Sequence, residues 1–333
     1  MIDRDRSFSL WLDFIERDFL KNEFPKLIQD EIINGATSNP SIFADAIRKS
    51  PAYKNQLENL KGLKPKEKYE ALAIEDIRLA AQALKESYQE GNDGYISLEV
   101  DPFLSNDTKA TVKEAKRLFK AIGEPNVMIK IPATEAGYSA MRQLLATGIS
   151  VNATLIFSPE QAKRCVKAMK EGMSIFENSG GRRVQAVISV FVSRFDRLLD
   201  QKLNELGLDL SKTGIYNAAK IYNIIEESNT PMVRTLFAST GVKEGVALPS
   251  DYYICELFAA HSVNTAPLET IKAYASRSQD SFKLPLADEE IENYFVTLEK
   301  SGIDMNEVYG KLLEDGLKAF EDSFQEILNA LKD

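Results

Sequence analysis

The chain alternates short apolar runs with longer segments of helical period, and this alternation constrains its fold more than any other feature. The runs fall at residues 9–14, 31–36, 95–100, 126–131, 150–157, 184–192 and 233–238, with an eighth inside 252–263. Several are rich in Val and Ile and apolar on both faces, as a parallel strand buried between two layers must be. Between them the pattern turns helical. In 66–90, Tyr69, Ala73, Ile77, Ala80, Leu84 and Tyr88 recur every three or four positions and make one apolar stripe. Segments 108–121, 135–146, 160–178, 194–206 and 213–227 follow the same logic. Ser158-Pro159-Glu160-Gln161 supplies an N-cap Ser, Pro at the first helical position and Gln at the third, which predicts a helix start there. The tail, 305–331, carries Leu312, Leu313, Leu317, Phe320, Phe324, Ile327 and Leu331 on a long amphipathic helix. Eight strands, each followed by a helix, predict a (β/α)₈ TIM barrel of the α/β class, with additional helices at 41–49 and at the C-terminus. No repeat, low-complexity tract or linker divides it, so 1–333 is read as one domain. A doubly wound open sheet is the alternative, but the Gly-x-Gly-x-x-Gly turn of a dinucleotide site and the Walker phosphate loop are both absent from the sequence.

Length alone does not choose, because 333 residues suit either two domains of roughly 150 residues or one barrel of about 250 with additions. Charge and histidine count exclude more. With 41 Lys and Arg against 50 Asp and Glu, the net charge is −9, which argues against nucleic acid or an anionic membrane surface as a partner. The single histidine, His261, excludes paired-His zinc sites and leaves His-based triads improbable. It is read as a satisfied residue of the last strand or its loop. Chemistry must therefore run mainly on carboxylates, lysine, hydroxyls or a bound cofactor. Cys165 and Cys255 have no metal-ligand spacing and read as buried thiols of a reducing compartment. Residues 1–6 are charged and lead into no apolar signal core, and no apolar run reaches bilayer length, so a cytoplasmic location is expected.

In such a barrel the site lies at the carboxyl ends of the strands, and the polar residues there form a coherent set. They are Asp13 on strand 1, Thr37-Ser38-Asn39 on strand 2, Glu99 and Asp101 on strand 3 and Lys130 on strand 4. Asn152 and Thr154 follow on strand 5, Ser189 and then Arg194 on strand 6, and Ser239-Thr240 on strand 7. Lys130 interrupts a run, Val127-Met128-Ile129-Lys130-Ile131-Pro132, that otherwise belongs in a core. A desolvated lysine is a usable amine nucleophile for carbonyl carbon; the plain alternative is a lysine that snorkels or pairs with Glu99. Asp13 and Glu99 suit general acid/base work, or are simply ionic partners of Lys130. Asn39-Pro40 suits the start of the helix at 41–49. Arg194, opening a helix after strand 6, suits a phosphate, with a rim salt bridge to Asp196 or Asp200 the ordinary alternative. Gly180-Gly181-Arg182-Arg183 precedes a strand and reads as a turn. Segment 61–68 reads as a charged, solvated loop. Arg234 starts strand 7, at the far end of the barrel from the site.

These segments resemble the motifs of the transaldolase family over nearly the whole chain. Gly35-Ala36-Thr37-Ser38-Asn39-Pro40-Ser41 is similar to its strand-2 signature and Ile129-Lys130-Ile131-Pro132-Ala133-Thr134 to its Schiff-base lysine motif. Asn152-Ala153-Thr154-Leu155-Ile156-Phe157-Ser158, Ser189-Val190-Phe191-Val192-Ser193-Arg194, Leu10-Trp11-Leu12-Asp13 and Leu98-Glu99-Val100 follow in the family's order. The resemblance implies a cofactor- and metal-independent (β/α)₈ enzyme of the non-oxidative pentose phosphate pathway, acting on sugar phosphates. It would move a dihydroxyacetone unit from sedoheptulose 7-phosphate to glyceraldehyde 3-phosphate, giving erythrose 4-phosphate and fructose 6-phosphate. Residue by residue, it implies Lys130 as imine-forming amine and Asp13 as the base for the C4 hydroxyl. Glu99 and Thr154 hold the water of dehydration, Asn39 and Asn152 bind substrate hydroxyls with Ser189 nearby, and Arg194 binds phosphate.

The sequence departs from the family at one place. The best-known branch carries a second phosphate-binding arginine just after a strand-7 Ala-Ser pair, whereas here Ala238-Ser239 runs into Thr240-Gly241-Val242-Lys243. Ser239 matches the family serine, and Lys243 is the candidate to replace the charge. Two other functions remain open on the sequence: a related Schiff-base aldolase that releases dihydroxyacetone, and a phosphosugar-binding barrel without turnover.

Overall fold

The computed structural model describes residues 7–181, 184–243, 245–277 and 281–332. Segment 1–6, and Arg182 and Arg183 of the expected Gly-Gly-Arg-Arg turn, lie outside them. Eight strands, β1 (Phe8–Asp13), β2 (Gly35–Thr37), β3 (Tyr95–Glu99), β4 (Val127–Pro132), β5 (Val151–Ile156), β6 (Ala186–Phe191), β7 (Val233–Ala238) and β8 (Ser262–Ala266), close into a barrel in sequence order. All neighbours pair in parallel, and β8 completes the ring against β1 from Phe8↔Ser262 to Leu12↔Ala266. Parallel neighbours need long crossovers, and helices supply them. The capping box expected at Ser158 opens the helix Pro159–Asn178, with the Gln161 amide donating to Ser158 Oγ at 3.1 Å.

Strand side chains alternate between faces, so each strand sends one set inward and one toward the helices. Trp11, Tyr95, Met128, Leu155, Val187, Leu236 and Val263 form one buried cluster inside the ring. Gly35 is required by it: a Cβ there would stand 2.5 Å from Trp11 Nε1, so β2 gives up a side chain to the indole. At the amino end of the strands Asp93 ties the ring shut. It accepts from Trp11 Nε1 at 2.9 Å and pairs with Arg234, whose other arm reaches Ser9 Oγ. His261, just before β8, contacts Glu226 Oε1 at 2.9 Å and the Pro231 carbonyl at 3.0 Å. Arg234 thus stands away from the carboxyl ends, and His261 is a satisfied residue of the loop before the last strand, as expected.

Four expectations need correction. The span 252–263 holds the short helix Tyr252–Glu256 and only the first residues of β8. That strand, Ser-Val-Asn-Thr-Ala, is largely polar, so an apolar-run criterion passes it over. The strand expected at 31–36 is the three-residue β2; Ile32 and Ile33 instead fold back, both amides donating to the Leu27 carbonyl. The helical stripe of 66–90 is broken into Pro65–Ala83 and Lys85–Glu90. Segment 61–68 is not uniformly solvated: Lys68 is buried and donates to the Leu331 carbonyl at 3.1 Å, while Lys66 pairs with Asp101 and Glu114.

The C-terminal helix Met305–Ala330 lies across the barrel instead of trailing from it. Ser323 Oγ meets Ser41 Oγ at 2.9 Å, and the Phe324 ring packs edge-on to Tyr69 with centroids 5.2 Å apart. Gly316 sits so close that a Cβ would come 3.0 Å from Leu155 and 3.4 Å from Arg194. No helix among the described residues is long and apolar enough to cross a membrane.

Candidate active site

At the carboxyl ends of the strands, strand register assembles the site. It places Glu99 beside Lys130, and Lys130 beside Asn152, while Asp13 lies beside Thr37. Lys130 is 5% exposed, so it does not snorkel. Its Nζ donates to the Ser38 carbonyl at 3.2 Å and stands 3.8 Å from Glu99 Oε2. The ring of Phe320, from the C-terminal helix, covers the same amine with its centroid 5.7 Å from Nζ.

Two carboxyls serve this amine under different constraints. Burial pushes Asp13 above the ordinary carboxylate range, opposed by the charge of Lys130 and by the 2.7 Å hydrogen bond donated by Thr37 Oγ1. Thr37 is in turn held by Thr265 Oγ1 at 2.8 Å. Burial likewise raises Glu99, to about 7, against the pull of Lys130 and with the help of the like charge of Asp13. Neither oxygen of Glu99 nor the Thr154 hydroxyl finds a hydrogen-bond partner among the described residues. A buried polar group left so carries a desolvation cost of about 1–3 kcal/mol, and it is a natural mooring for a reacting water or hydroxyl.

A pocket of about 300 Å³ opens over these groups, lined by Asp13, Asn39, Lys130, Ser189, Arg194 and Ser239 among others. Asn39 also caps the helix Pro40–Lys49, its Oδ1 accepting from the Ile42 amide at 3.1 Å, so the structural role foreseen for it coexists with a place in the lining. Ser189 donates to Asn152 Oδ1 at 2.6 Å, and Asn152 Nδ2 donates to Ser97 Oγ at 3.0 Å. Asn152, Glu99 and Thr154 therefore stand behind the lining, one layer deeper than Ser189 and Lys130. Ser239, with a left-handed φ of 57°, meets Ser193 Oγ at 3.0 Å.

Arg194 is the cation of this pocket besides Lys130. Its guanidinium lies 4.8 Å over the Phe191 ring and makes no ion pair among the described residues. Of the acids that offered a rim salt bridge, Asp196 accepts from the Gly214 amide and the Tyr253 hydroxyl, and Asp200 accepts from Ser211. Burial, and then the like charge of Arg197, push Arg194 down to about 10. Arg197, three residues along the helix Ser193–Glu205 and so on a neighbouring position, also lacks an ion pair, its Nε donating to the Ser193 carbonyl. Arg194 and Arg197 thus bring two guanidiniums without a direct ion pair among the described residues to this corner, with Asp315 and Glu99 acting on Arg194 and Asp196 on Arg197 from further off. Lys243 is exposed and, like Arg197, is not among the residues lining the pocket. Reading strand ends missed Arg197 and Phe320. The i, i+3 spacing from Arg194 was available as a signal for the first; the second belongs to a helix whose period says only that one face is buried.

A family profile described as "Transaldolase/Fructose-6-phosphate aldolase" matches residues 10–331. A protein of Campylobacter jejuni subsp. doylei named "Transaldolase" is 49% identical over 335 residues, covering 98% of this chain and 100% of that protein. A Helicobacter pylori protein of the same name is 46% identical over 327 residues, covering 98% and 99%.

Proposed function

Because the chain belongs to the transaldolase/fructose-6-phosphate aldolase family, we propose that it is a transaldolase acting through an imine on Lys130. It moves a dihydroxyacetone unit from a phosphorylated ketose, sedoheptulose 7-phosphate, to glyceraldehyde 3-phosphate, giving erythrose 4-phosphate and fructose 6-phosphate. The observation that carries this reading is a buried amine 3.8 Å from the Glu99 carboxyl, in a pocket that Asp13 and Arg194 also line.

Lys130 adds to the ketose C2 carbonyl, and loss of water from the carbinolamine leaves an iminium. That cation is an electron sink for breaking C3–C4. Asp13, whose pKa burial raises, takes the C4 hydroxyl proton as the first aldose departs, acting as the general base. Glu99 and Thr154 hold the water that leaves and returns, using the oxygens that have no protein partner. The oxygen of Asn39 is committed to its helix cap, so its NH₂ group donates to a substrate hydroxyl. Asn152 acts through the Ser97–Asn152–Ser189 chain, which orients Ser189 in the lining. Arg194, with Ser239 beside it, takes the phosphate by charge-assisted hydrogen bonds, and that remote binding energy positions C2 over the amine. The reading takes 1–333 as one catalytic domain in the cytoplasm, whose reducing character suits Cys165 and Cys255 as thiols outside any disulfide. Its partners are sugar phosphates, neither nucleic acid nor membrane.

The test is borohydride reduction in the presence of fructose 6-phosphate, followed by peptide mass analysis. A reduced three-carbon adduct on Lys130 is expected. No adduct, or an adduct on another lysine, sinks the reading.

A further inference from the structure

We propose that Phe320 decides whether this site transfers its three-carbon unit or releases it; the inference rests on Lys130 being the imine-forming residue. Family membership alone leaves that choice open, because the family's description joins a transferase to an aldolase. The two outcomes diverge at one intermediate. After C3–C4 cleavage the enzyme holds an enamine, neutral at Nζ and nucleophilic at C3. In transfer, C3 attacks the acceptor's aldehyde carbon, the new C–C bond forms, the aldehyde oxygen takes a proton and the iminium returns. In release, C3 takes a proton instead, water adds to C2 of the resulting iminium, and the carbinolamine collapses to free dihydroxyacetone and the Lys130 amine. Release needs a proton donor at C3 and water at C2 before an acceptor arrives.

The surroundings of Lys130 separate these fates. Water has polar moorings at Glu99 and Thr154, whose oxygens find no partner among the described residues. Phe320, by contrast, is 5% exposed and lays its ring 5.7 Å from Nζ while lining the pocket. A phenyl ring has nothing to offer a water or a proton, so the part of the enamine beneath it stays dry. Its placement is enforced. The C-terminal helix is fastened by Ser41–Ser323, by Phe324 against Tyr69 and by Lys68 on the Leu331 carbonyl, and is set close by Gly316. These contacts fall on both sides of Phe320 along the helix, from Gly316 to Leu331, so the ring is held over the amine by the helix as a whole.

The test measures partition, not turnover alone. Wild type and the series Phe320→Leu, Phe320→Val and Phe320→Ala are given fructose 6-phosphate, with and without erythrose 4-phosphate. Free dihydroxyacetone is measured against sedoheptulose 7-phosphate, and borohydride adduct on Lys130 is quantified in each variant. Release relative to transfer should rise as the side chain shrinks, staying within about twofold of wild type for Leu and climbing by about tenfold or more for Ala, a difference of about 1.4 kcal/mol between the two barriers. If Phe320→Ala does not fold, the order wild type, Leu, Val carries the same comparison. A flat ratio across variants that still form the Lys130 adduct overturns the proposal. Absence of the adduct in wild type overturns the function itself, a separate outcome.

Discussion

Replacing Glu99 with Gln removes one negative charge 3.8 Å from the Lys130 amine with almost no change of shape. Two unit charges at that distance attract by about 4 kcal/mol at an effective dielectric constant near 20, yet burial outweighs the attraction, because Glu99 is raised from 4.5 to about 7. The folded protein therefore disfavours the ionised carboxyl by about 3 kcal/mol. The sign follows from proton binding. Between pH 4.5 and 7 the folded state keeps a proton on Glu99 that the unfolded chain has lost, so this group's contribution to stability falls as pH rises through that window. Glu99→Gln lacks the titration, so its stability relative to wild type should increase by about 3 kcal/mol between pH 4 and pH 8. Urea denaturation at several pH values reads this difference directly, and titrations elsewhere largely cancel. The groups facing Glu99 include Lys130, Asp13, Arg194 and the Tyr69 hydroxyl, and all four remain. Activity should move as well. A displaced general acid/base typically costs 10²–10⁴-fold, so kcat should drop by about 10²-fold or more and the wild-type limb near pH 7 should vanish. An unchanged pH dependence of stability would refute the buried-acid argument, and a retained limb would remove Glu99 from the proton path.

Arg194→Ala should raise KM for fructose 6-phosphate by about 10- to 100-fold, the loss of one or two charge-assisted hydrogen bonds, while borohydride adduct formation with unphosphorylated dihydroxyacetone stays unchanged. Arg197→Ala, acting through the local field, should raise the same KM by only a few-fold; equal loss with both substrates would show that neither arginine reads the phosphate. Away from the site, Asp76→Ala should cost about 3 kcal/mol in denaturant titration. It strands the 3%-exposed Arg17, which pairs with Asp76 at 2.6 Å, and loss of a buried partner costs about 3–5 kcal/mol. The low end applies because Glu75, 41% exposed, remains 3.4 Å away; stability within 1 kcal/mol of wild type would contradict it.

What the sequence discloses tracks how local the physics is. A buried parallel strand needs apolar residues on both faces, so most strands were legible, and so was Lys130, because a charge inside such a run has no ordinary place. β8 was not, since its polar residues bond inside the fold: Ser262 Oγ donates to the Ala259 carbonyl, the Thr240 hydroxyl donates to Asn264 Oδ1, and Thr37 bonds to Thr265. Only the closed ring makes those residues core. Asn39 illustrates the reverse, a residue whose cap signature was legible and whose place in the pocket depends on β2 ending beside β1. Whether Arg194 would find Asp196 was also a tertiary matter, settled by Gly214 and Tyr253 taking the acid first. Phe320 is the limiting case, because it lies almost two hundred residues from the amine it covers.

That separation has a consequence for how the chain comes into being. β1 can close only against β8, and the amine on β4 receives its aromatic cover only from the helix Met305–Ala330. During synthesis from the amino terminus, then, Lys130 and both of its carboxyls are made long before anything can shelter them. The reactive centre is sheltered only once the helix Met305–Ala330 has been made, so a chain that stops before it leaves the lysine open.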